Sequence, residues 1–331
     1  MATLKSLFDG LEAVLNPVTP ATVPITPPTL GTGPLQFVSF DDIVPPAGGF
    51  STVYAFGDSL SDAGNVSRLT LGVLPNSNIY SGGRFSNGNV WVQDLAQQLG
   101  LPPPAPSLTG GTDYAYGGAE TGATAVHAAN PTDLPSQLGQ FVASVPNPSP
   151  NALYTVWAGS NDVLDIANSA ETPAEQGASV QQAVNNEVAS INGLIAHGAK
   201  DLVVMSVPDL GVTPYEQARP TTAATSSALA QTYNTDLGVA LQGIMASSAA
   251  SIDYVDTSKL LDMAIADPAT YGFTNVTQPV WNGNLTDSGS GTLAATGAAQ
   301  NGYLFFDNLH PTAAGHSLLA SAVHESLTGV A

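Results

Sequence analysis

The sequence predicts an α/β fold built on a parallel sheet, and three observations carry that reading. Short apolar runs at residues 53–56, 152–157, 202–205 and 252–255, with a further strand-like run leading into Tyr114, give five strands. Stretches with helical spacing separate them, and strands that alternate with helices pair in parallel through right-handed crossovers. Ser59, Gly118 and Asn161 each fall just past the end of one of these runs, at the edge where such sheets bind their ligands.

In chain order, residues 1–16 come first. There Leu4, Leu7, Phe8, Leu11, Val14 and Leu15 recur every three or four positions and form one apolar stripe. Asp9 and Glu12 interrupt any hydrophobic stretch, so the segment does not read as a secretory signal peptide. It reads as a helix packed on the body of the domain; the alternative is a docking helix for a membrane, a second subunit or an export machine. Proline and threonine crowd residues 16–49, which prevents helix and favours an extended, semi-rigid arm. The domain boundary is therefore set near Gly48, with residues 1–48 as helix and arm and residues 49–331 as the folded unit.

Val53-Tyr54-Ala55-Phe56 is the first strand. Gly82-Gly83-Arg84-Phe85-Ser86-Asn87-Gly88 is a turn-rich loop ahead of a helix at 90–99, and Arg84, one of six cations, reads as a tie between loops rather than a substrate anchor. Pro102, Pro103, Pro104 and Pro106 make 101–111 a loop, and a helix follows at 134–145. The run 152–157 is apolar enough for a central strand buried on both faces. Val180, Val184, Val188, Ile191 and Ile195 mark a helix that Gly198 ends. Strand 202–205 stops before Pro208, a polar helix spans 222–245, and 252–255 is the last strand. Residues 268–302 lose periodicity; the stretch 281–301 is either a wall or lid of the site or a passive surface excursion. The final helix, 311–327, carries Leu318, Leu319, Val323 and Leu327 on one side, with His316 and His324 read as surface or capping residues.

The chemistry sits in four short blocks. In Phe56-Gly57-Asp58-Ser59-Leu60-Ser61-Asp62-Ala63-Gly64-Asn65, a serine lies where a buried strand ends and a helix can begin. That placement holds its hydroxyl at a crevice and its own N–H near the positive end of a helix. Both suit a nucleophile that must stabilise the oxyanion it creates, although most matches to Gly-Asp-Ser-Leu alone are an N-cap serine after a turn. Phe305-Phe306-Asp307-Asn308-Leu309-His310-Pro311-Thr312 puts a carboxylate three residues before an imidazole. Asp307 can then accept from His310 Nδ1 and turn Nε2 toward a serine. Tyr114-Ala115-Tyr116-Gly117-Gly118-Ala119 and Trp157-Ala158-Gly159-Ser160-Asn161-Asp162 each offer an oxyanion donor, the Gly118 backbone N–H and the Asn161 amide. The bland alternative for Asn161 is a cap on a helix beginning at Asp162.

These blocks, in this order, resemble the GDSL/SGNH hydrolase family, named for its Ser, Gly, Asn and His, over roughly residues 51–327. Tyr271-Gly272-Phe273-Thr274-Asn275 is similar to a loop of secreted and autotransporter-type bacterial members. The resemblance implies a three-layer α/β/α sandwich with a central parallel five-stranded sheet. It implies a serine esterase or lipase with a triad of Ser59, His310 and Asp307, and an oxyanion hole of Ser59, Gly118 and Asn161. It implies no cofactor, and carboxylic esters as substrates: acetylated or short acyl esters, lipids or phospholipids, among which nothing in the sequence chooses. No GxSxG elbow occurs, which separates the chain from the α/β-hydrolases.

Composition narrows the alternatives. Six Lys+Arg against 26 Asp+Glu give a formal charge of −20, which argues against nucleic acid and anionic membrane surfaces as partners. A transient contact with a lipid surface through the N-terminal stripe stays open. Zero cysteines exclude disulfides and a cysteine nucleophile, and five histidines without paired spacing argue against zinc. A low-charge chain rich in Gly, Ala, Thr, Ser and Asn looks like an exported bacterial protein, which without a signal peptide points to another route of export, with a cytoplasmic location as the alternative. Two rival functions follow from the same residues: a catalytically idle binding module on this fold, or a metal-dependent hydrolase using Asp58, Asp62, Asp307 and His310.

Overall fold

The computed structural model describes residues 43–328, so the stripe at Leu4, Leu7 and Leu11 and the arm up to residue 42 lie outside the described residues. Four parallel strands stand side by side in the order of the chain: β1 (Thr52–Gly57), β2 (Ala152–Trp157), β3 (Asp201–Met205) and β4 (Ser251–Val255). Nine helices are described: α1 (Asn65–Leu69), α2 (Trp91–Gln98), α3 (Leu134–Ser144), α4 (Ser160–Asn168), α5 (Pro173–Ala196), α6 (Pro214–Gln217), α7 (Pro220–Ser247), α8 (Thr257–Ala266) and α9 (Ala313–Thr328).

Successive strand residues face opposite ways, and both faces of this sheet are apolar. Tyr54, Phe56, Tyr154, Val156 and Val204 enter a core with Phe141 of α3, Val163 of α4, Val184 of α5 and Leu237 of α7. Val53, Ala55, Leu153, Val203 and Met205 enter another with Leu95 of α2, Leu260 of α8 and Val323 of α9. Helices thus cover both faces, giving the α/β/α sandwich that the sequence predicts. Ile43 and Phe50 are buried in the second core, so packing begins ahead of the strand.

The sheet has four strands instead of five, and the reason lies beside β1. Residues 112–116 run along it, with Ala55 N–H donating to Thr112 O at 3.0 Å, Tyr114 N–H to Ala55 O at 2.7 Å and Tyr116 N–H to Gly57 O at 3.1 Å. Only an isolated parallel bridge, Ala55 to Asp113, results. The buried Asp113 carboxylate takes the N–H of its neighbour Ala115 at 3.0 Å and that of Ala63 at 2.6 Å, which bends this segment toward the Ser59 turn.

Helix ends differ where polar residues start them. α5 begins at Pro173, ahead of the apolar spacing, because Thr172 and Glu175 exchange hydrogen bonds in a capping box. α8, which no periodicity announces, starts where Asp256 accepts the Lys259 N–H at 2.9 Å. No helix among the described residues is long and apolar enough to cross a membrane.

Candidate active site

Strand register places the site. Gly57 pairs with Trp157, so the chain leaves β1 and β2 at the same level and Asp58-Ser59 flanks Ala158-Gly159. Gly57 has no room for a side chain, since a Cβ would sit 2.0 Å from Trp157 O. Beyond it, Ser61 and Asp62 N–H groups donate back to Asp58 O at 3.1 and 3.0 Å, forming a turn with Ser59 on it. The next helix starts only at Asn65. The Ser59 N–H is therefore aimed by a turn and not by a helix terminus, contrary to the sequence expectation.

His310 Nε2 lies 2.8 Å from Ser59 Oγ. Its Nδ1 lies 2.9 and 2.8 Å from the Asp307 oxygens Oδ1 and Oδ2. Asp307 Oδ1 also accepts the N–H groups of Leu309 and His310 at 2.9 and 2.8 Å, and Oδ2 accepts the Tyr80 hydroxyl at 2.7 Å. Burial would raise the Asp307 carboxyl, but the His310 charge and these donors hold it below the usual carboxylate value. Burial and the Asp307 charge push the Tyr80 phenol well above its ordinary value, so it stays a donor. Ser59, Asp307 and His310 are all buried, and the ring of Phe85 lies 5.1 Å from that of His310.

The three oxyanion candidates line the same cavity. Gly118 has φ 76, a left-handed conformation that favours glycine. Among the described residues, neither its N–H nor that of Ser59 donates to a protein acceptor. Asn161 donates one amide hydrogen to Ala119 O at 2.9 Å, and its Nδ2 carries a second. α4 begins at Ser160 with Gly159 as its N-cap, so Asn161 does not cap it. Ser59, Gly118, Asn161 and His310 line one cavity of about 590 Å³.

The model of the family described as GDSL-like Lipase/Acylhydrolase matches residues 53–323. The chain belongs to this family. Among curated relatives, the phosphatidylcholine-sterol acyltransferase of Aeromonas hydrophila is 28% identical over 283 residues, 83% of this chain and 78% of that one. A GDSL esterase/lipase of Arabidopsis thaliana is 28% identical over 332 residues, covering 85% of this chain and 88% of its own. Lipase 1 of Photorhabdus luminescens is 33% identical over 166 residues, 50% of this chain and only 23% of that longer protein. The protein is a carboxylic ester hydrolase.

What the GDSL motif does not announce is how the hydrolase holds its loops. Asp62 accepts the N–H groups of Gly64, Asn65 and Val66 and, across the site, that of Gly117 at 2.9 Å. Asn65 Nδ2 donates to the carbonyls of Asp113 and Ala115, both at 2.9 Å. Asp162 receives the Thr121 hydroxyl at 2.6 Å and its N–H at 3.1 Å, which brings the Gly118 loop onto the start of α4. Gln137 of α3 clamps Gly57, accepting its N–H at 2.9 Å and donating to its carbonyl at 2.7 Å. Apart from the three local bonds that Asp62 takes from Gly64, Asn65 and Val66, these bonds span 41 to 80 residues, and no local pattern signals them.

Arg84 ties its own loop, donating from Nε to Gly88 O at 2.7 Å. The stretch 281–301 supplies a wall, since Leu285 lines the cavity and Trp281 is buried against Phe306 and Tyr80. His316 is fully buried instead of lying at the surface; it accepts the Trp91 N–H on Nδ1 at 3.3 Å, and burial depresses it to about 3. Asp58 is buried with Oδ2 unpartnered, and burial raises it to about 7 against the opposing pull of the Leu60 N–H. Asp62 is taken up by backbone donors, so it does not join Asp58, Asp307 and His310 in a metal site. Among the described residues, the group spaced for a metal is Glu120, His127 and Asp165.

Proposed function

We propose that the protein hydrolyses esters through an acyl-enzyme on Ser59, with the Ser59–His310–Asp307 chain as its triad. The observation that carries this is the continuous hydrogen bonding from Ser59 Oγ through both ring nitrogens of His310 to Asp307. His310 Nε2 takes the hydroxyl proton as Ser59 Oγ bonds to the ester carbonyl carbon. Asp307 fixes the tautomer and stabilises the imidazolium. The oxyanion that forms receives the N–H groups of Ser59 and Gly118 and the second Asn161 amide hydrogen. The carbon–oxygen bond to the alcohol then breaks, and His310 returns its proton to the leaving oxygen. Water, deprotonated by His310 in turn, attacks the acyl carbon and releases the acid and free Ser59.

The cavity supports an aliphatic acyl chain as the substrate class. Its lining includes Leu260, Leu261 and Ala264 of α8, Leu304, Phe305 and Leu318, apolar side chains suited to an acyl chain, while its polar side chains, Glu120, His127, Asn130 and Asp165 among them, form a separate group. Relatives named as a lipase and a phosphatidylcholine-sterol acyltransferase agree with that reading. The low-charge composition supports work outside the cytoplasm, where the N-terminal stripe would touch a lipid surface.

A fluorophosphonate should label Ser59 in folded protein and nothing after heating. A mapped adduct on Ser61, which is fully buried and accepts the Trp91 indole N–H at 3.1 Å, or on Ser160, would remove the nucleophile assignment. On a series of p-nitrophenyl esters, kcat/KM should rise from acetyl to longer chains. A maximum at acetyl would refute the acyl-chain reading while leaving the triad standing.

A further inference from the structure

The lining of the cavity also carries a cluster that ester hydrolysis does not use. The donor atoms of Glu120, His127 and Asp165 lie within 4.8 Å of one another, and all three residues line the cavity. His127 Nδ1 stands 2.9 Å from Glu120 Oε1, and its Nε2 stands 3.0 Å from Asp133 Oδ2. Glu120 is 3% exposed, and its other oxygen, Oε2, is buried without a hydrogen-bond partner. Asp133 is itself held, taking the Glu120 N–H on Oδ1 at 3.1 Å and the Asn130 N–H on Oδ2 at 2.7 Å.

Hydrogen bonding alone leaves this arrangement poorly balanced. Three carboxylates surround one imidazole, so even a protonated His127 leaves net negative charge in a largely buried place, at a cost that a second cation or a proton must relieve.

We propose that Glu120, His127 and Asp165 form a binding site for one divalent zinc-type cation beside the ester site. One imidazole nitrogen with two carboxylate oxygens suits zinc better than calcium or magnesium, which take oxygen donors. Nδ1 is then the ligand, and Nε2–H donates to Asp133, the carboxylate–histidine pairing that orients metal-binding imidazoles. The ion satisfies Glu120 Oε2 and cancels the repulsion between the two ligating carboxylates. It also fastens the loop carrying His127 to α4 through Asp165. Three protein donors leave a coordination position free, and the cavity lies on that side. A search of the sequence for paired histidines overlooks such a site because it needs only one.

The test uses the full chain without an affinity tag, stripped with a chelator and titrated with ZnCl2 by calorimetry, with MgCl2 and CaCl2 in parallel. One zinc ion per chain is expected, with a rise in Tm on its addition. Affinity should fall at least about tenfold in Glu120→Gln and in Asp165→Asn, and roughly 10–100-fold in Asp133→Asn, which removes the orienting carboxylate but no ligand. Asp165→Asn leaves both His127 contacts in place, so it decides the matter if Glu120→Gln does not fold. Absence of zinc binding by the wild type, affinity unchanged from wild type in both ligand variants, or preference for calcium or magnesium would overturn the assignment. In the first case the cluster is a proton-sharing clasp.

Discussion

On the Ser59 side of the cavity, three carboxylates hold loops by taking backbone N–H groups, each reaching one distant segment. Asp62 takes four N–H groups, that of Gly117 from afar; Asp113 takes two, that of Ala63 from afar; and Asp162 takes that of Thr121 together with its hydroxyl. On the His310 side, Asp307 alone shapes the turn, orients the imidazole and accepts from Tyr80. The two sides also differ in charge. Burial raises Asp62 to about 6, Asp162 to about 6 and Asp113 well above its ordinary value, whereas Asp307 is lowered because His310 faces it. A carboxylate that only fastens backbone resists ionisation in this interior; the one paired with a base favours it. Changes on the His310 side should therefore appear in rate, and changes behind Ser59 in stability.

The largest effect is expected from Asp307→Asn. With the carboxylate gone, His310 loses its fixed tautomer and the imidazolium its counter-charge, and kcat/KM on a p-nitrophenyl ester should fall about 10⁴-fold. A loss below about tenfold would mean the division of labour is wrong. Next, Asn161→Asp should lower kcat about a hundredfold, near 3 kcal/mol, with little change in KM. Because Gly159 and not Asn161 caps α4, thermal stability should stay near wild type; a large drop in Tm would move Asn161 to the scaffold side.

Gln137→Leu probes that scaffold directly. It strips the buried Gly57 N–H of its acceptor, and urea unfolding should show about 2 kcal/mol lost. If kcat falls a hundredfold while stability holds, the contrast between the two sides fails. The smallest effect is expected at His316 of α9. His316 is pushed down to about 3, first by burial and then by the charges of His310 and Arg84. A histidine whose folded value lies below its unfolded 6.5 adds stability that is complete above pH 6.5 and lost as pH falls toward 3. His316→Asn keeps an acceptor for the Trp91 N–H but does not titrate. Its unfolding free energy should depend less steeply on acid than that of the wild type, by up to about 1.4 kcal/mol per pH unit. Parallel slopes would place a proton on buried His316.

The part of this architecture that could be read from sequence is the part written locally. Val180 to Ile195 repeat at helical spacing, and α5 follows; residues 152–157 are apolar throughout, and β2 is buried at every position. Asp307 and His310 are three residues apart, so their pairing is a property of one turn. Tyr80 reaches the same carboxylate across 227 residues, and nothing around it in the chain marks a partner. Gln137 sits on a helix whose apolar face is legible, but its amide serves Gly57 through a contact that only folding creates. The missing fifth strand has a similar origin. Tyr114 and its neighbours look like a strand, but the ladder is interrupted by the side chain of Asp113, whose partner Ala63 lies in a different block. His316 was misplaced because an amphipathic pattern of leucines does not say which polar position faces α2.

Ser59 and His310 are 251 residues apart, and that distance has a consequence for the life of the chain. In the proposed mechanism, a growing polypeptide that has passed Ser59 carries the nucleophile without its base until the segment around Asp307 and His310 has been made and has docked. On that mechanism the chain does not attack esters before nearly all of the sandwich has assembled. Turnover in this protein reports completion of the fold, and a cut anywhere ahead of Asp307 that releases the last helix should silence it while leaving the signature motif intact.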